Sequence, residues 1–213
     1  MVQRKYLALV LAPILLGSAR PHAVVVDGAI VRDADTQRDI EATASVALKR
    51  PEKPFRLVVS RSRYRLDVLD GERIVKTYPV AFGAPEGPKE KSGDHKTPEG
   101  AYVLIPHHPS PGFGECFYVC YPSEEDAARG LERGLISKGE HQAIIARCRA
   151  KERPPDGTRL GGLILLHGTK DRSMRGLTDI NWTWGCIAME NPQVVELLSV
   201  YDRKDRPTLE IVP

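Results

Sequence analysis

From Phe55 onward the chain alternates between apolar and polar positions. Phe55-Arg-Leu-Val-Val-Ser60 and Arg63-Tyr-Arg-Leu-Asp-Val-Leu69 place apolar side chains at nearly every second residue, the period of half-buried strands. Asp70-Gly71 between two such runs predicts a hairpin, because glycine accepts the positive φ of a type I′ turn. Arg73 to Phe82 reads as the return strand, and Ala101-Tyr-Val-Leu-Ile105 as the resumption of the sheet. Between them, residues 83–100 form a long loop rich in Gly and Pro, of a length that in a compact β domain is functional or disordered. Phe117 to Tyr121 reads as a further strand. The period then changes. Ser123-Glu124-Glu125-Asp126 is an acidic N-cap, Glu140 to Glu152 is helical in character, and helices are expected between about 124 and 153, ended by Pro154-Pro155-Asp-Gly157. Near the end, Asn191 as cap and Pro192 as opener predict a helix with Val194, Val195, Leu197 and Leu198 on its apolar face. Pro207 to Val212 reads as a closing strand. The expected class is mainly β with short helices, α+β.

Ahead of this domain the pattern is different. Arg4 and Lys5 precede an apolar run from Tyr6 to Leu16, followed by small residues at Gly17-Ser18-Ala19 and again at Pro21-His22-Ala23. That is the order of a secretory signal, and the run is too short for a bilayer-spanning helix. Residues 1–23 are therefore expected to be a signal peptide, leaving an exported, periplasmic protein with no integral membrane span after cleavage. Residues 24–54 lack sustained periodicity, although Val24-Val25-Val26 fits a short strand, and read as a linker or peripheral segment. The domain then occupies 55–213.

Composition changes this picture little. The 213 residues, 41% of them hydrophobic, suffice for one domain with appendages. Lys and Arg number 31 against 28 Asp and Glu, a formal net charge of +3 with the signs interspersed. With no dense basic tract and few aromatics, no nucleic-acid partner is expected. A monomer is expected.

Two stretches carry candidate chemistry. Leu163-Ile-Leu-Leu-His167-Gly168-Thr169 delivers a histidine at the end of an apolar run, and Asn181-Trp-Thr-Trp184-Gly185-Cys186-Ile187-Ala188-Met189 sets a cysteine beside a glycine. Cysteine attacks as thiolate, and an imidazole is its usual proton acceptor. Singly, a Cys beside Ile is a small buried hydrophobe and a His at a strand end is a hydrogen-bonded structural residue. In this order, with flanking glycines, Cys186 and His167 form a candidate catalytic pair. Gly185, with no Cβ beside the sulfur, leaves room for a substrate carbonyl and for oxyanion-binding amides.

The other candidates are weaker. His107-His108 invites a metal reading with His95 and His141, but adjacent side chains on an extended chain point apart, and no ligand spacing is present. No metal site and no cofactor are expected. If Cys186 works as a thiolate, Cys116, Cys120 and Cys148 remain. A bridge from Cys116 or Cys120 to Cys148 is one possibility in an oxidising compartment, and three free buried thiols are the other.

These residues carry a resemblance. From about Phe55 to the C-terminus the chain resembles the L,D-transpeptidase catalytic domain (the YkuD-like fold) of bacterial cell-wall enzymes. The matching features are the hairpin start, Gly87-Pro-Lys followed by Gly93-Asp-His-Lys-Thr-Pro-Glu-Gly100, the Leu-His-Gly-Thr step and Gly-Cys-Ile. Trp184 stands where the family commonly has His, and Ala188 where Arg or Asn is usual; Trp182-Thr-Trp-Gly-Cys-Ile-Ala looks like a side branch of the family. The resemblance implies a β-sandwich or open barrel with a helical insertion at about 124–157 over the cleft. It implies Cys186 as nucleophile and His167 as general base, with the Gly168 carbonyl or the Thr169 hydroxyl orienting the imidazole, on peptidoglycan stem peptides. The expected activity is L,D-transpeptidation through a thioester; an L,D-carboxypeptidase or other hydrolase on the same site, or a non-catalytic wall-binding module, are the alternatives. Trp184 is either an apolar wall for the stem or core packing, and Asp94 and His95 either lie at the cleft mouth or belong to a solvated loop.

Overall fold

The structure, a computed structural model, describes residues 23–26, 29–50, 56–84, 87–169, 181–202 and 206–213. The expected signal segment lies outside these residues except for its last position. In chain order the elements are β1 (Ala23–Val26), β2 (Ala29–Arg32), α1 (Ala34–Ala44), β3 (Arg56–Ser60), β4 (Arg65–Asp70), β5 (Arg73–Pro79), β6 (Gly100–Ser110), β7 (Gly114–Val119), α2 (Glu124–Glu132), α3 (Lys138–Arg149), β8 (Leu165–His167), β9 (Ile187–Ala188), α4 (Asn191–Val200) and β10 (Thr208–Val212). The class is α+β, as the alternation predicts.

Eight strands form one mixed sheet in the order β5-β4-β3-β10-β6-β7-β8-β9. The hairpin predicted at Asp70-Gly71 is present: Asp70 pairs with Arg73, and Gly71 takes φ +63°. The last strand of the chain, β10, inserts between β3 and β6, parallel to the first and antiparallel to the second. The sheet does not close as a continuous barrel, but its ends meet at one point. Just beyond β5, Ala81 exchanges two 2.9 Å backbone hydrogen bonds with Ala188 of the opposite edge strand. That bridge brings the loop after β5 against β9. Leu57, Val59, Leu66, Val68, Leu104, Phe117, Leu166, Ile187 and Leu209 fill the core, with Val194 and Leu197 of α4 covering it.

Several boundaries differ from the sequence reading, each for a local reason. Residues 34–44, which showed no apolar period, form α1, capped by Asp33, whose carboxylate accepts from the Thr36 amide at 2.6 Å. Its stability comes from docking: Asp39 meets the buried Arg65 at 2.7 Å, and Thr43 Oγ1 accepts from the Thr77 amide at 3.0 Å. β6 runs five residues past Ile105, through the two histidines, to an irregular pairing with β7. The cap of α4 is Glu190, not Asn191.

The insertion folds as two capped helices. Ser123 with Asp126, and Ser137 with Glu140, form reciprocal capping boxes. Ala127, Ile136, Ile144 and Leu160 make a small separate core beneath them. α2 reaches the long loop through the ion pair of Arg133 with Glu90 at 3.0 Å.

Candidate functional site

Side chains alternate across a strand, and register then fixes which of them meet. β7 runs antiparallel to β8 with Cys116 opposite His167, and β9 runs parallel to β8 with Ala188 opposite His167. Leu166 and Ile187 turn into the core, both fully buried. His167 therefore shares the opposite face with Cys116, Ala188 and Cys186. One strand spacing and a two-residue offset put the Cα atoms of His167 and Cys186 about 8 Å apart.

His167 is 1% exposed, enclosed by rings. Phe113 lies 4.4 Å away between centroids, and Trp182 presents itself edge-on at 5.9 Å. Its Nδ1 is 2.8 Å from the Gly168 carbonyl oxygen. A carbonyl only accepts, so Nδ1 carries the hydrogen and the lone pair of the neutral ring sits on Nε2. Of the two orienting groups expected from the sequence, the Gly168 carbonyl takes the position. Gly168 also has to be glycine: a Cβ there would lie 2.5 Å from Asn191 Oδ1 and 2.7 Å from Asn191 Cα. Asn191, freed from capping, uses that oxygen to accept from the Glu115 amide at 3.1 Å and so ties α4 to β7 beside the histidine. Thr169 is half-buried, just past β8.

Cys186 is half-buried. Its Sγ receives the Leu165 amide at 3.4 Å and lies 3.7 Å from the Leu163 carbonyl. Burial pushes the thiol above its ordinary value, against the lowering effect of the Leu165 N–H and of Lys89, with Cys116 adding to the rise. Burial likewise holds His167 below its ordinary value, outweighing the Gly168 hydrogen bond. Both effects disfavour charge. The resting pair is a neutral thiol and a neutral imidazole, and a thiolate forms only as the proton passes to nitrogen.

The turn that carries the sulfur is braced from inside. Thr183 Oγ1 donates to the Cys186 carbonyl at 2.7 Å and accepts from the Gly185 amide at 3.2 Å. Gly185 takes φ +112°, and a Cβ on it would lie 2.6 Å from the Lys96 carbonyl oxygen. This corrects the sequence reading of Gly185: its missing side chain admits the neighbouring loop rather than a substrate, and its amide is already engaged.

That loop is held together by Asp94. The carboxylate accepts from Lys89 Nζ at 2.8 Å and from the amides of Glu90, Lys91 and Lys96 at 2.7, 2.9 and 3.1 Å. Burial pushes its pKa up, but these four donors together hold it below the ordinary value. Asp94 is thus a loop clasp, not a cleft-mouth residue. His95 does reach the site: its ring stacks on Trp184 at 5.3 Å with an 8° interplanar angle. Trp184 is 76% exposed, so core packing is not its role.

Of the two expectations for Cys116, Cys120 and Cys148 the structure shows the free thiols, with Cys148 half-buried rather than buried. All four are free thiols. Cys116 belongs to the site, opposite His167, while Cys148 lies 3.4 Å from the Pro122 carbonyl at the insertion. Among the described residues no group of three or more His, Cys, Asp or Glu is arranged to hold a metal ion. Sequence reasoning missed Phe113, Thr183 and Asn191. Phe113 left a trace, an aromatic between Gly112 and Gly114 in a turn, whereas the other two act through backbone contacts that no pattern marks.

Among curated proteins none matches the chain. Among solved structures, the helical cell shape determining protein Pgp2 from Campylobacter jejuni is similar: 20% identical over 83% of this chain and 54% of that one, with a TM-score of 0.52. A point mutant of the same protein aligns at 22% identity over 74% and 46%, with a TM-score of 0.53. The chain thus spans about half the length of these relatives, and at such identities they show the fold alone. An L,D-transpeptidase from Xylanimonas cellulosilytica aligns at 13% identity over 85% and 71%, with a TM-score of 0.43. The family model of the L,D-transpeptidase catalytic domain, YkuD, matches residues 54–208, which hold the whole sheet but the last four residues of β10, and both members of the Cys–His pair. The chain belongs to the L,D-transpeptidase catalytic-domain family.

Proposed function

We propose that the protein is an exported L,D-transpeptidase that cross-links peptidoglycan tetrapeptide stems through a thioester on Cys186. The observation that carries this reading is the same-face placement of His167 and Cys186, with the imidazole tautomer set by the Gly168 carbonyl. Family membership supplies the reaction class. No described helix is long and apolar enough to cross a membrane. Action on peptidoglycan, together with the signal-like start of the chain, supports work outside the cytoplasm.

In the first half-reaction the thiol proton moves from Sγ to His167 Nε2 as the sulfur attacks the carbonyl of the third stem residue. The Sγ–C bond forms and the carbonyl becomes an oxyanion. With the Gly185 amide engaged by Thr183, the Cys186 amide is the oxyanion donor in this reading. The intermediate collapses with cleavage of the C–N bond, and the imidazolium returns its proton to the departing D-alanine amine. A stem amine then attacks the thioester carbonyl and passes a proton to Nε2; the C–Sγ bond breaks and the imidazolium returns that proton to sulfur, leaving the amide cross-link and the free thiol. Because ring and sulfur are both neutral at rest, His167 acts as a general base in the attack itself, not as half of a standing ion pair.

Incubation with disaccharide-tetrapeptides followed by mass spectrometry tests the reading. Cross-linked dimers are expected. Trimmed monomers alone would make the protein an L,D-carboxypeptidase on the same site, and unchanged substrate would leave a wall-binding module.

A further inference from the structure

Three large apolar side chains stand exposed around the catalytic pair. Trp184 precedes Cys186 by two residues, Leu163 is 57% exposed with its carbonyl 3.7 Å from the sulfur, and Phe113 lies against His167. Leu163 holds its backbone at φ +57°. A side chain bearing a Cβ is strained there, and for a leucine this conformation is uncommon. His95, which backs the Trp184 ring, is held at φ +56°. The side chain that this strained backbone presents goes to solvent and not to the core, while the backbone itself also hydrogen-bonds Tyr118. Strained residues of this kind gather where a ligand is clasped.

We infer that Leu163 and Trp184 are specificity-determining residues that grip the methylene side chain of the stem residue whose carbonyl Cys186 attacks, with Phe113 closing the His167 side. The inference rests on the proposed function. Once the acyl carbon is at Sγ, the α-carbon of that residue is one bond away, so its side chain is what falls between the two lips. The saccharide at the far end of the stem lies roughly 10 Å off, at about 3.5 Å per residue. An apolar rim matches an aliphatic chain, and each methylene covered is worth about fourfold in affinity.

Tetrapeptides with lysine, norleucine or alanine as third residue test this, norleucine separating chain length from charge. Wild type is expected to use the lysine and norleucine peptides at least about tenfold better in kcat/KM than the alanine peptide, as two or more covered methylenes require. Leu163→Gly and Trp184→Ala are each expected to bring that ratio to within about threefold. Leu163→Gly is expected to melt at the same or a higher temperature, because glycine accepts φ +57° without strain. Equal use of norleucine and alanine by wild type, or an unchanged ratio in both variants, overturns the inference and leaves the proposed function standing. A lower melting temperature for Leu163→Gly makes Leu163 a structural residue and also overturns it. Turnover of none of the peptides removes both.

Discussion

At the level of single residues the site runs on two groups that burial keeps neutral. Burial depresses His167, so the ring remains a free base below the ordinary value of 6.5. The rate of Cys186 acylation is expected to rise with pH along the deprotonation of His167, with a midpoint below 6.5, and His167→Gln is expected to flatten that limb and lower the rate at least about a hundredfold. The linked effect on stability has a definite sign. A histidine with a lowered folded pKa contributes stability that is fully present above 6.5 and is lost as pH falls through the folded value, because the unfolded chain binds the proton first. Cys186 and His167 stood out in the sequence as a candidate pair because chemistry restricts which residue types can serve. The role of Gly185 was misread, since a glycine that admits substrate and one that admits a neighbouring loop look the same until the Lys96 carbonyl is seen beside it.

At the level of elements, short strands do the positioning. β8 and β9 have three and two residues, and neither has a hydrophobic period long enough to locate from sequence. Their register comes from neighbours: β7 on one side, the Ala81–Ala188 bridge on the other. By contrast β3, β4 and β5 were readable from the alternation of apolar and polar residues and from the Asp70-Gly71 turn, although only β3 shows that alternation in its burial and β4 is buried on both faces. The loop 83–100 was marked as functional by its length and by the Gly87-Pro-Lys and Gly93 to Gly100 stretches that carry the resemblance; its shape depends on Asp94. Asp94→Asn leaves the buried Lys89 without its counter-ion and is expected to destabilise the protein by about 3 kcal/mol. With the loop loosened under Gly185, acylation of Cys186 is expected to slow as well. Denaturant unfolding alongside the acylation rate checks both effects.

On the scale of the molecule, the N-terminal segment is fastened to the domain that the family model begins at residue 54. The buried Lys76 donates from Nζ to the Ala44 and Val46 carbonyls and sits 3.6 Å from Glu196, which also accepts from the Leu48 amide at 2.7 Å and from the Tyr78 hydroxyl at 2.8 Å. This belt joins the segment after α1 to β5 and α4. Polar side chains make it, so hydropathy gave no sign of it. Removal of residues 1–50 takes the Ala44 and Val46 carbonyls from Lys76 and the Asp39 carboxylate from Arg65, and the melting temperature is expected to fall well below that of a protein lacking only 1–22. The proposed reaction depends on the Cys186 sulfur being acylated with His167 as its base. Intact-mass spectrometry after incubation with a carbapenem, a β-lactam that acylates nucleophiles, tests this most directly. One covalent equivalent on the wild-type protein, absent from Cys186→Ala and formed far more slowly by His167→Gln, is the predicted result. An unmodified wild type at high drug concentration, or an adduct that persists in Cys186→Ala, would contradict it.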